Sequence, residues 1–74
     1  MMDNAQWIAA FFQEESAVSL LADKPVFAQV DSFAVVGFLI ACDERFTDFS
    51  AVDTDQLAQL TLAELAAVLD SLQG

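Results

Sequence analysis

The stretch Asp31-Ser32-Phe33-Ala34-Val35-Val36-Gly37-Phe38-Leu39-Ile40-Ala41-Cys42-Asp43-Glu44-Arg45-Phe46 decides how this chain folds. It opens on two residue types that favour the start of a helix. It holds no proline, and Val35, Phe38, Leu39, Cys42 and Phe46 recur at helical intervals. Such spacing gathers apolar side chains into one stripe that must be buried. The stretch therefore predicts a helix from about Ser32 to Arg45, with Asp31 or Ser32 at its N-terminus and that stripe facing a core.

Working outward, the same rules read the rest of the chain. Residues 47–52 form a polar connection that carries Phe49. Asp53-Thr54-Asp55-Gln56 has capping-box spacing and predicts a short third helix leading to Leu57 and Leu60. Thr61 followed by Glu64 is the clearest start signal, and Leu62, Leu65, Ala66, Leu69 and Leu72 then repeat at helical intervals. On the other side, residues 17–30 read as a long ordered loop. Val18, Leu20, Leu21, Val26 and Phe27 can anchor it, and Asp23-Lys24-Pro25 marks a bend. The first helix starts near Asp3 or Asn4, where Asp3 and Gln6 again have capping-box spacing. Trp7, Ile8, Phe11 and Phe12 make its stripe, which fades around Glu15 and Ser16. With Pro25 as the sole proline and Gly37 and Gly74 as the sole glycines, tight hairpin turns are scarce. The expectation is an all-α, single-domain four-helix bundle over residues 1–74, with a short third helix and a long loop between the first two.

Composition excludes several functions. Twelve acidic residues against Lys24 and Arg45 give a net charge of −10. Such a field repels nucleic acid and anionic membrane surfaces and favours basic protein partners. The chain has no histidine and only Cys42, so Ser-His and Cys-His catalysis, internal disulfides and imidazole or thiolate metal sites are ruled out. Asp48, Asp53 and Asp55 lack the glycine and closing glutamate of a calcium loop. The apolar part of residues 1–12 has no basic residues before it, as a secretory signal would. The ten uncharged residues 33–42 are too few to span a bilayer. A cytoplasmic protein is expected.

By composition and spacing alone, Asp31-Ser32 is a helix cap. A serine there also lies where backbone N–H groups and the helix dipole favour an attached phosphate, although it has no base of its own. In its surroundings the stretch resembles the second helix of acyl and peptidyl carrier proteins. In that family an Asp-Ser-Leu start opens a helix that closes with an acidic pair and a phenylalanine. Here Asp43-Glu44 and Phe46 stand in those places, with Phe46 fourteen residues after Ser32. The resemblance continues through Asp53-Thr54-Asp55-Gln56-Leu57 and Thr61-Leu62-Ala63-Glu64-Leu65. It covers about residues 31–72.

The resemblance implies that Ser32 accepts 4'-phosphopantetheine from coenzyme A through a separate phosphopantetheinyl transferase, Mg²⁺ being needed only by that enzyme. Asp31 would support the transfer. The arm's thiol would carry acyl, malonyl or aminoacyl groups as thioesters, and the carrier itself would catalyse nothing. Acyltransferase, ketosynthase or adenylating enzymes of polyketide, fatty-acid-like or nonribosomal peptide assembly would be its partners. Phe33, Val36, Gly37, Ile40, Asp43 and Glu44 would form the docking face.

The chain departs from the family in three ways. Gln29 stands where glycine is usual, and Phe33 stands where leucine is usual. The first half of the helix is neutral where the family is acidic, at Ala34, Gly37 and Ile40. Docking would then rest more on shape and apolar contact than on charge. An unmodified acidic docking adaptor is the competing reading. Gly37 marks either a tight packing point or a place of close approach for a partner. Cys42 reads as a buried small hydrophobe, and Trp7, Phe11 and Phe12 read as core. A monomer is expected, with Phe33, Val36 and Ile40 as an apolar strip able to self-associate.

Overall fold

The computed structural model describes residues 2–72, all helix and loop, with no strand among them. Four α-helices follow in order: α1 (Asn4–Ser16), α2 (Ser32–Arg45), α3 (Thr54–Leu57) and α4 (Leu62–Asp70). Each starts on a side-chain cap that satisfies one of the amides a helix leaves unpaired. At α1 the box is reciprocal. The Gln6 amide donates to Asp3 at 2.8 Å, and the Asp3 amide donates to the Gln6 side chain at 3.0 Å. At α2 the Ala34 amide donates to the Asp31 carboxylate at 2.9 Å. At α4 the Thr61 amide donates to Glu64 at 2.9 Å, completing a second box.

α3 departs from expectation. Asp53 accepts from the Asp55 amide at 3.1 Å, and no box with Gln56 forms.

The core gathers Ile8 and Phe12 of α1, Phe38 and Cys42 of α2, Leu57 of α3, and Leu65, Ala66 and Leu69 of α4. Phe38 is its hub. Its ring centroid lies 5.0 Å from Phe12, 5.5 Å from Phe11, 5.7 Å from Trp7 and 6.0 Å from Phe27. Offset and edge contacts of this kind add to plain area burial. Val35 and Leu39 are only half-buried. α1 packs most extensively on α4, and the Asn4 side-chain amide reaches Asp70 at 2.6 Å.

Two single 3₁₀ turns, Val26–Ala28 and Phe49–Ala51, break up segments that read as loop. Each is pinned by one buried side chain, Val26 and Phe49 respectively. The Val26 amide also donates to the Leu60 carbonyl at 2.9 Å. Of the expected loop anchors, Leu21 is exposed instead. No helix among the described residues is long and apolar enough to cross a membrane.

Candidate attachment and docking site

Ser32 is the first residue of α2, and it is exposed. The cap is Asp31, whose carboxylate takes the Ala34 amide while its carbonyl takes the Val35 amide at 3.2 Å. Ser32 is therefore spared from capping. Among the described residues its hydroxyl has no hydrogen-bond partner, and the first amides of α2 still point out of the helix end.

The flank of that hydroxyl is apolar. Ser32, Phe33 and Val36 line one shallow hollow. Phe33 is 87% exposed, Val36 55% and Ile40 57%. Spacings of three and four residues align these three on one face of α2. These three large apolar groups form a row left in water and are a candidate interaction surface.

A groove of about 460 Å³ runs from Val36 along α2. Val36, Leu39 and Ile40 form one wall, and Phe49, Val52 and Thr54 form the other. Asp43 and Glu44 stand at its far end. The second wall was hidden in the sequence, apart from the apolar signal of Phe49 inside a polar connection.

Gly37 lies on another side of Phe33. A Cβ added there would have nothing within 4 Å, so the tight-packing reading is ruled out. The expected site residues thus share one helix but line different hollows. Ser32, Phe33 and Val36 surround the first; Val36, Ile40, Asp43 and Glu44 border the groove; Asp31, Phe33 and Gly37 face a third.

Gln29 has a structural role that its identity did not suggest. Its side chain accepts from the Leu21 amide at 2.6 Å. The same side chain donates toward the carbonyls of Leu21, Lys24 and Pro25 at 3.1, 3.1 and 3.2 Å. It ties the bend in the long loop three residues before Ser32.

No family model, curated protein or solved structure matches the chain.

Among the described residues, no group of His, Cys, Asp and Glu side chains could hold a metal ion. Cys42 is fully buried, and burial pushes its thiol up to about 12 against the smaller pull of Arg45. Such a thiol is inert at neutral pH. The Arg45 guanidinium lies 4.9 Å above the Trp7 ring, away from the serine end of α2.

Proposed function

We propose that this chain is a carrier protein of the acyl or peptidyl type, holding biosynthetic intermediates as thioesters on a 4'-phosphopantetheine arm at Ser32. One observation carries the reading. The Ser32 hydroxyl is exposed and, among the described residues, unpartnered at the start of a fourteen-residue helix whose cap is Asp31. That serine opens the stretch, residues 31–46, that resembles the second helix of carrier proteins.

The attachment chemistry suits that position. The Ser32 oxygen bonds to phosphorus, the pyrophosphate bond of coenzyme A breaks, and the nucleotide half leaves. The proton goes to a base of the transferase. The phosphodiester that results is an anion at a helix N-terminus, where dipole and free amides stabilise it. Asp31 supports the transfer by fixing the helix start. The groove opens at Val36, one turn from Ser32, and offers the arm or its cargo an apolar track.

Phe33, Val36 and Ile40, with Gly37 beside them, form the surface that partner enzymes dock on, and Asp43 and Glu44 supply charge at its end. The partners are a phosphopantetheinyl transferase and the acyltransferase, ketosynthase or adenylating enzymes of an assembly pathway.

Intact mass before and after incubation with coenzyme A, Mg²⁺ and a promiscuous phosphopantetheinyl transferase tests the proposal. Addition of one phosphopantetheinyl group to the wild-type chain, and none to Ser32→Ala, is expected. The exposed strip of Phe33, Val36 and Ile40 also suits a second reading, an unmodified docking adaptor. Folded protein that several transferases leave unmodified would favour that one.

A further inference from the structure

The chain approaches α2 through a strap, residues 17–25, none of which is fully buried. A segment with so small a share in the core tends to open easily. Both of its ends are nevertheless fixed. At its start Ala17 closes α1 in the left-handed conformation, with φ 54°. Glycine is usual at such a helix end, because a Cβ disfavours that backbone. The turn is held by the Ala17 and Val18 amides, which donate to the Gln13 and Phe12 carbonyls at 3.1 and 3.2 Å. At the far end Val26 is buried, and its amide is bonded to Leu60.

Between these ends one side chain closes the bend. Gln29 engages both backbone groups of Leu21, accepting from its amide and donating to its carbonyl. It also donates to the carbonyls of Lys24 and Pro25. The Leu21 side chain is 54% exposed, so core packing does not fix the middle of the strap. A neutral amide suits the task, since it accepts and donates at once. Glutamate, equal in length, would set a carboxylate against three carbonyls. Gln29 itself is half-buried and stands three residues before Ser32. The path of the strap and the entry into α2 therefore hang on the same residue.

We propose that Gln29 is a positioning residue for transfer to Ser32. It latches the strap closed beside the start of α2, so that a transferase meets one preformed surface. The kinetic consequence rests on the carrier reading; the latch does not. A partner that binds only the closed form has its apparent affinity reduced by the closed fraction. Loss of the latch then raises KM and leaves kcat alone.

The test compares the full unmodified chain with Gln29→Ala and Gln29→Glu. Amide order parameters of residues 19–24 should lie near the rigid value of about 0.85 in the wild type and below about 0.6 in both variants. Those of α1 and α4 should not change. With coenzyme A, Mg²⁺ and a promiscuous phosphopantetheinyl transferase, KM for the chain should rise about fivefold or more in both variants, with kcat within about twofold. A strap already mobile in the wild type, or still rigid in both variants, would overturn the proposal. So would a drop in kcat at constant KM. Wild type and variants modified equally well would end this proposal alone. A wild type left unmodified would end the carrier reading and the kinetic half with it, while the order parameters still decide the latch.

Discussion

Gln29 links the loop to the start of α2 through one side-chain amide. Its hydrogen bonds hold the backbone at Leu21, Lys24 and Pro25 in the bend. Gln29→Gly should lower stability by about 1–2 kcal/mol, since several backbone groups lose a partner that only partly shields them from water. Hydrogen exchange at the Leu21 amide should speed up in that variant before exchange in α1 or α4 does. Cys42 gives a second residue-level expectation. Its thiol stays protonated in the fold up to about pH 12, whereas in the unfolded chain it ionises near its ordinary value. The unfolded state then binds fewer protons, so stability should fall as pH rises from about 9 toward 12. Chemical denaturation across that range should show the slope, and Cys42→Ala should remove its cysteine component. The sequence already reads Cys42 as core, because its place in the helical stripe is a local fact. The work of Gln29 was not legible there. It depends on where a bend four to eight residues away puts its carbonyls, and nothing in the identity of a glutamine specifies that.

At the scale of elements, helix starts were the most legible feature, because a cap and the amide it serves lie two or three residues apart. Asp3, Asp31, Asp53 and Thr61 each occupy the expected place. Thr61→Ala should cost about 1 kcal/mol, measured by denaturant unfolding. Its partner adds a pH dependence. The Thr61 backbone amide, and then its hydroxyl, hold the Glu64 carboxyl below its ordinary value. That contribution is present above the unfolded pKa and is lost as pH falls through the lower, folded one. The stability gap between wild type and Glu64→Ala should therefore narrow on acidification. A constant gap from pH 7 to pH 3 would mean the box contributes no charge-dependent stability. The 3₁₀ turns were not legible, because the packing of Val26 and Phe49 creates them rather than local preference. The groove shares that origin, since one of its walls is the second turn.

Across the whole molecule, twelve acids sit on a body only 29 × 27 × 21 Å in extent. At about 10 mM salt the screening length is about 30 Å, so like charges repel across the entire fold, whereas at physiological salt it falls to about 8 Å. Raising NaCl from the first condition to the second should raise the melting temperature by several degrees, as seen by circular dichroism. An unchanged midpoint would mean that the acids are compensated locally. The broad class, four helices around one apolar core, could be read from stripes and caps. Which helices pair most closely could not, because the α1 and α4 stripes carry no label naming each other.

Trp7 is the sole tryptophan in a chain without tyrosine. Its ring lies 5.7 Å from Phe38, 6.0 Å from Phe46 and under the Arg45 guanidinium. The chain thus has one indole fluorophore, set in the seam between α1 and α2 at the end of α2 opposite Ser32. Thirteen residues of helix separate Ser32 from Arg45, about 20 Å at 1.5 Å per residue. Phe38, which the ring also touches, lies only six residues from Ser32, about 9 Å along the helix. A flexible arm attached at Ser32 is long enough to cover that distance, so a change in emission on loading would report the arm or its cargo at the α1–α2 seam, and unchanged emission would place both elsewhere.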